Sequence, residues 1–160
     1  MIVLIHDFIT GDFGDDRGSG DTGNFGVAFD DVLDRLVTHA LELSPRMGEL
    51  QISRSGALGS LDPRIATPLS LVVTELIHNA LEHGLAVSGE NLKIEVNRMG
   101  NVVTITIFDD GIGLPEGFSL SESANLGLQI VRTLTENELK GSINLVRTDR
   151  GTEAQLKFPL

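Results

Sequence analysis

Three short segments of the chain hold polar residues at spacings that suit chemistry, and the first is ELIHNALEHG, from Glu75 to Gly84. Glu75 and Asn79 lie one helical turn apart, so their carboxylate and carboxamide could share one Mg2+, an ion that takes few protein oxygens and keeps its waters. Glu75 could then polarise a reacting group. The alternative is a solvent-exposed face, because amphipathic helices normally turn Glu and Asn outward.

The second segment, IFDDGIG, places Asp109 where an apolar run ends and follows it with Gly111 and Gly113. A carboxylate in that position could accept a hydrogen bond from the amino group of a nucleobase. The glycines would permit positive φ angles and the close approach of a ligand. A plain turn would use Asp-Gly equally well, but the apolar run in front favours a binding site.

The third segment, from Ser123 to Leu128, lies where a helix is predicted to begin. Free N–H groups and the helix dipole at such a terminus favour phosphate. Ser or Asn at a helix N-cap is also ordinary, so this segment alone leaves both interpretations open.

Hydrophobic periodicity predicts the elements that would position these segments. Predicted helices cover residues 29–41, 67–84 and 126–139, and predicted strands cover residues 49–54, 92–96, 102–108, 142–146 and 152–158. We expect the middle helix to begin with Thr67 as its N-cap and Pro68 in the first turn, and to stop at Gly84.

The order of these elements predicts the fold class. Strands adjoin one another through short turns, and helices flank them in the sequence. This pattern favours an α/β (α+β) two-layer sandwich, with a mixed, mostly antiparallel sheet covered by helices on one face.

Composition excludes several functions. The chain has 160 residues, 41% of them hydrophobic, which is enough for one domain with a core. Its net charge of -11 repels phosphate backbones, so we expect no nucleic acid partner. The chain has no cysteine, which excludes disulfides, thiolate zinc sites and iron-sulfur clusters. No apolar run is long enough to span a bilayer, so we expect a cytoplasmic domain without membrane insertion.

Taken in order, ELIHNALEHG, DDGIGLP, NLGLQIV and GTEAQLKFP resemble the N, G1 and G2 boxes of the ATP-binding domain of two-component sensor histidine kinases, which are Bergerat-type ATPases. The resemblance covers residues 65–160 and implies ATP and Mg2+ as cofactors. It implies that Glu75 is the catalytic acid of the N box, that Asn79 is the Mg2+ ligand and that Asp109 reads the adenine amino group. The remaining matched positions border the adenine (Gly111, Gly113 and Thr152) or the phosphates (His83, Leu126, Gly127 and Leu128).

The sequence departs from the family pattern in three ways. The G2 box reads Asn125-Leu126-Gly127 instead of the common GxG, the lid over residues 118–125 is short, and no separate phenylalanine box is evident.

The resemblance also implies a function and a domain organisation. The γ-phosphoryl of ATP would pass to a histidine of a dimerisation domain and then to a response regulator, in a homodimeric parent. Residues 1–10 would be the remnant of a dimerisation helix, residues 11–24 a flexible Gly/Asp-rich linker and residues 25–160 the catalytic domain. Without the phosphoacceptor domain, the fragment is expected to be inactive as a kinase. Two alternatives stay open: an anti-sigma-factor type serine kinase of the same fold, and a non-catalytic nucleotide-sensing interaction module.

Overall fold

The computed structural model of the chain describes residues 26–123 and 125–160. The dimerisation-helix remnant predicted over residues 1–10 and the linker predicted over residues 11–24 lie outside the described residues. The described chain has two layers, a sheet and a set of helices that cover one of its faces.

The strands of the described chain are Val27–Ala28 (β1), Gln51–Ser55 (β2), Ser60–Leu61 (β3), Asn91–Met99 (β4), Val102–Asp109 (β5), Ser142–Thr148 (β6) and Gly151–Pro159 (β7). Five of them form a sheet of order β2-β4-β5-β7-β6, in which only the β2–β4 pair is parallel. β1 and β3 form a separate antiparallel pair. The predicted mixed, mostly antiparallel sheet is confirmed, with strand ends that differ from the predicted ones by at most three residues.

Alternation along the strands explains why one face of the sheet is covered. On the central strand β5, Val103, Ile105 and Ile107 are buried, while the residues between them are half-buried. On β7, Leu156 and Phe158 are buried in the same layer, whereas the intervening residues are exposed. Side chains of a strand point alternately to opposite faces, so all of these apolar residues point into one core between sheet and helices.

The long helices of the described residues are Phe29–Glu42 (α1), Pro63–Asn79 (α2) and Leu126–Asn137 (α3), and short 3-10 turns cover Met47–Glu49 and Leu120–Glu122. α2 packs against both α1 and α3. Its apolar stripe, which includes Leu69, Val72 and Val73, is fully buried. None of these helices combines the length and the apolar character that a membrane span needs.

The predicted start of the middle helix is wrong. α2 begins at Pro63, and Asp62 is its N-cap, since Asp62 Oδ1 accepts a hydrogen bond from Arg64 N at 2.8 Å. Asp62-Pro63 carries the same start signal that we assigned to Thr67-Pro68, but earlier in the chain. Pro68 is therefore inside the helix, where its ring is buried, and the carbonyl that loses a partner belongs to Arg64 in the first turn.

The end of the same helix has an unusual geometry. After Asn79 the chain widens into a π-turn, Ala80–Gly84, in which Leu85 N donates to the carbonyl oxygen of Ala80 at 2.8 Å. The predicted stop at Gly84 is confirmed. Single π-turns of this kind often occur at functional sites.

Candidate functional site

A cavity of about 330 Å³ lies between the end of α2, the sheet and the beginning of α3. This volume is within the range of small-molecule sites, which are mostly apolar with a few placed polar groups. Its polar lining includes Asn79, His83, Asp109 and Thr152. Its apolar lining comes from helix, strand and loop together, namely Leu76, Ala80, Ile107, Ile112, Leu114, Pro115, Phe118, Leu128, Leu145 and Ala154.

The Asp109 carboxylate is the buried charge of this cavity, with only 3% of the residue exposed. It ends β5, and Thr152 is its partner across the ladder on β7. Among the described residues, only Gly111 N donates a hydrogen bond to it, at 3.1 Å to Oδ1. Burial raises the pKa of Asp109 to about 6, the hydrogen bond from Gly111 opposes this, and the charge of Asp110 adds to it. A buried carboxylate with a free acceptor oxygen can bind an N–H group of a ligand.

Asp110 has a different role from its neighbour. Its Oδ1 accepts hydrogen bonds from Glu90 N and Asn91 N, and its Oδ2 accepts one from Asn91 Nδ2, all at 2.8 Å. Burial raises the pKa of Asp110, but these hydrogen bonds outweigh it and hold the pKa below its ordinary value. Asp110 therefore stays charged and fixes the start of β4 against the end of β5, which holds Asp109 in place.

Two glycines follow these acids for different reasons. Gly113 has a φ of 77°, a conformation that side chains rarely adopt. Gly111 has no such φ, but a Cβ at this position would overlap the carbonyl oxygen of Gly84. Gly111 is therefore required by close packing, and Gly113 by backbone conformation.

The predicted polar face of α2 divides into two sides. Asn79 lines the cavity, and its Nδ2 is buried without a hydrogen-bond partner among the described residues. His78 instead contacts Glu82 (Nε2 to Oε1, 3.0 Å), and both line a second cavity on the α1 side of the helix. His83, in the π-turn, borders both cavities.

The residues around Asn79 fit a hydrated Mg2+. The Asn79 carboxamide faces this cavity, and its oxygen is a hard donor that suits this ion. Its unpartnered Nδ2 is a hydrogen-bond donor and would need an acceptor, such as a phosphate oxygen of a ligand. The described residues contain no group of three or more His, Cys, Asp or Glu that could hold a metal by itself. Any Mg2+ here would therefore take one or two protein oxygens and complete its shell with water and ligand phosphates.

The beginning of α3 closes the other side of the cavity. Asn125 is its N-cap, with Oδ1 accepting a hydrogen bond from Leu128 N at 3.1 Å. The Glu75 carboxylate lies against Gly127, and Leu128 lines the cavity. Leu126 is 70% exposed and is not part of the cavity wall, so any role of Leu126 would come from its backbone.

Residues 64–160 match the family model of histidine kinase-, DNA gyrase B- and HSP90-like ATPases. The chain belongs to this family.

Curated relatives of this ATPase support the match to the family model. The sensor histidine kinase PdtaS of Mycobacterium tuberculosis is 40% identical over 137 residues, which cover 84% of this chain and 27% of PdtaS. The chain thus spans about a quarter of the length of this curated relative. The family resemblance in the sequence is confirmed.

Solved structures show the same fold. The histidine kinase domain of the Erythrobacter litoralis EL346 blue-light activated histidine kinase superposes with a TM-score of 0.79 at 22% identity, covering 99% of this chain and 70% of that one. The ATP binding domain of PrrB from Mycobacterium tuberculosis gives a TM-score of 0.64 at 26% identity, covering 83% of this chain and 94% of that one. The predicted fold class is confirmed.

The structure of this ATPase places most of the residues singled out in the sequence around one cavity. Sequence reasoning missed its apolar wall, because Ile107, Leu145 and Ala154 look like ordinary core residues of strands. It assigned Phe118 to the lid without predicting that this side chain lines the cavity, and it gave no role to Asp110, whose role requires a partner on β4. The sequence predicts only a helix stop at Gly84, which closes the same motif as Glu75 and Asn79.

Proposed function

We propose that this chain is the Mg-ATP-binding catalytic domain of a sensor histidine kinase. The observation that carries the proposal is the buried Asp109 carboxylate, which keeps a free acceptor in an apolar cavity that also contains the unpartnered amide of Asn79. Such a cavity suits a ligand with an amino-bearing purine at one end and anionic groups at the other.

At the base end, Asp109 accepts a hydrogen bond from the adenine amino group. Gly113 and Thr152 border the base beside Asp109, and Gly111 orients the Asp109 carboxylate through its N–H. A guanine would present a carbonyl oxygen to the same carboxylate, and two acceptors repel each other. The site therefore favours adenine over guanine.

At the phosphate end, the backbone N–H groups of the first turn of α3, around Gly127 and Leu128, provide a partial positive charge. Asn79 is the residue that would hold Mg2+, and a bound Mg2+ would supply charge neutralisation on the phosphate oxygens. His83 borders the same region. These groups offset the net charge of -11, which otherwise repels a nucleotide.

The proposed reaction is an in-line transfer of the γ-phosphoryl to a histidine of a dimerisation domain. The imidazole nitrogen forms a bond to the γ-phosphorus, the bond from that phosphorus to the β–γ bridging oxygen breaks, and ADP leaves with the electron pair. The Glu75 carboxylate acts as general base: it accepts the proton from the other imidazole nitrogen as the bond to phosphorus forms, which makes the attacking nitrogen more nucleophilic.

The remaining parts of the proposal concern the parent protein. We propose that residues 1–10 belong to a dimerisation helix, that residues 11–24 link it to the catalytic domain of residues 25–160, and that a homodimeric parent passes the phosphoryl group to an aspartate of a response regulator. The domain would work in the cytoplasm, where such partners meet ATP. The sensor histidine kinase relatives support this proposal, and the chain matches only part of their length.

Binding and transfer are tested separately. Calorimetric titration with a non-hydrolysable ATP analogue, with and without Mg2+, should show metal-dependent binding, and the matching GTP analogue should bind much more weakly. Absence of ATP binding would overturn the proposal. Transfer is tested by adding γ-labelled ATP and a histidine kinase dimerisation domain, then acid treatment. Phosphohistidine is lost in acid, whereas the acid-stable phosphoserine would favour a serine kinase.

A further inference from the structure

We propose that Gly84 is a positioning residue for base recognition. Because Gly84 has no side chain, the Asp109 carboxylate can lie directly against the end of α2, in the orientation that recognises the base. The inference rests on the proposed adenine-nucleotide site. Gly84 lines the cavity beside Asp109, and the inference concerns its effect on the orientation of the Asp109 carboxylate.

The contact between Gly84 and Asp109 is close. A Cβ on Gly84 would lie 2.6 Å from Asp109 Cγ and 2.8 Å from Oδ2. Gly84 is not among the residues with positive φ, so its backbone conformation is open to other amino acids. Glycine is therefore required here for space and not for backbone freedom.

Both backbones at this contact are held in place. Asp109 pairs with Leu92 on β4 and with Thr152 on β7, so it sits in the ladder between two strands. The carbonyl oxygen of Gly84 accepts a hydrogen bond from Ile112 N at 3.0 Å. Neither main chain can move away without losing these hydrogen bonds.

A side chain at position 84 would therefore move the Asp109 carboxylate. The χ1 torsion of Asp109 is the softest degree of freedom at this contact, and rotation takes the carboxylate out of its hydrogen bond with Gly111. Without a side chain at position 84, the Asp109 carboxylate keeps the orientation in which Oδ1 accepts the hydrogen bond from Gly111 N and Oδ2 has no hydrogen-bond partner among the described residues. The π-turn contributes to this contact because it places Gly84, the last residue of the N-box motif, beside Asp109.

The experiment compares two nucleotides on matched variants of the full chain. Gly84→Ala is the test, and Gly48→Ala is the control, because Gly48 also lacks a positive φ and a Cβ there would meet nothing within 4 Å. The probes are a non-hydrolysable ATP analogue and the triphosphate of unsubstituted purine riboside, which lacks only the amino group. Affinities are measured by calorimetry.

We expect Gly84→Ala to weaken the ATP analogue about ten- to hundredfold, because the amino group loses its buried acceptor. The same variant should bind the purine riboside triphosphate as the unsubstituted chain does, and Gly48→Ala should leave both affinities unchanged. Unchanged ATP affinity in Gly84→Ala would overturn the inference while the proposed function stands. Equal weakening of both nucleotides would also overturn it, because the whole cavity would then have changed.

A second pair of variants covers the case in which Gly84→Ala does not fold. In the Asp109→Ala background the carboxylate is gone and the new Cβ has room. We expect Asp109→Ala and Gly84→Ala/Asp109→Ala to fold alike and to bind the ATP analogue equally weakly. A double variant that is unfolded, or that binds still more weakly, would show that Gly84 acts on something other than Asp109. An unsubstituted chain that binds no ATP analogue would overturn the proposed function and, with it, this inference.

Discussion

The Glu75 carboxylate lies against Gly127 in the first turn of α3, so closely that a Cβ on Gly127 would come within 2.5 Å of Glu75 Oε2. Two helices that are far apart in the sequence are thereby brought together at the proposed catalytic carboxylate. Gly127 has no positive φ, so the contact with Glu75, and not the backbone, explains why a glycine occupies this position.

Gly127→Ala should therefore slow phosphoryl transfer more than it weakens nucleotide binding. The backbone N–H at position 127 remains, and alanine favours the helix by up to about 1 kcal/mol. The displaced Glu75 loses its position, and a positioned general base is typically worth about 10²–10⁴-fold in rate. We expect a transfer rate at least about tenfold lower, measured with a dimerisation domain, and little change in ATP affinity by calorimetry. A normal rate would contradict the proposed role of this contact.

Asp109→Asn should abolish adenine-nucleotide binding and at the same time stabilise the fold. Burial raises the pKa of Asp109 from 3.8 to about 6, so the native state binds protons more tightly than the unfolded state. The free energy of unfolding therefore falls as the pH rises from about 3.8 to about 6, and the loss is complete above that range. Removing the charge should recover about 1 to 3 kcal/mol at pH 7.

Urea unfolding at pH 7 and near pH 4 checks this stability effect, because the difference between Asp109→Asn and the unsubstituted chain should shrink at the lower pH. Asp149→Asn removes the same charge from an exposed turn and is the matched control. A less stable Asp109→Asn at pH 7 would mean that the buried charge has a stabilising partner.

ATP binding should weaken in acid through the same carboxyl group. A protonated Asp109 is a weaker hydrogen-bond acceptor than the carboxylate. With a pKa of about 6, the ionised fraction of Asp109 drops about tenfold between pH 7 and pH 5. We expect a similar loss of affinity over that interval by calorimetry. The triphosphate of purine riboside titrates in the same way at its phosphates but lacks the amino group, so its affinity should change much less. Parallel pH profiles for the two nucleotides would assign the effect to the phosphate end.

The sequence was sufficient to predict the fold and to place Asp109 at the end of a strand, because periodicity and turn residues are local signals. It was not sufficient for the start of α2, where Asp62-Pro63 and Thr67-Pro68 carry the same signal and only the structure shows that Asp62 caps the helix. The role proposed for Gly84 could not be predicted from the sequence either, because Gly84 contacts Asp109 only after the sheet has formed. Contacts between distant segments, such as those made by Asp110, have no local signature.

Asn79→Ala should weaken Mg-ATP far more than metal-free ATP, because the carboxamide oxygen is proposed to contact the ion and not the base. The difference between titrations with Mg2+ and with a chelator measures this effect. His78→Ala is the matched control, since His78 is adjacent on α2 but pairs with Glu82 at the other cavity. Equal weakening with and without metal would show that Asn79 only shapes the cavity.

The proposed domain boundary predicts that removal of residues 1–24 leaves the ATPase domain intact. Val27 and Phe29 are already part of the core, at 3% and 0% exposure. A ligand that binds only the native state adds about 2.7 kcal/mol at a hundredfold excess over its Kd, so Mg-ATP should raise the Tm of the full and the shortened chain equally. Removal of residues 1–30 is the contrasting control. It deletes Phe29 and also Asp30, which accepts hydrogen bonds from Arg54, Leu58 and Gly59, so that chain should lose its cooperative transition. If the chain lacking residues 1–24 unfolds or no longer responds to Mg-ATP, those residues belong to the ATPase core and the proposed division of the chain is wrong.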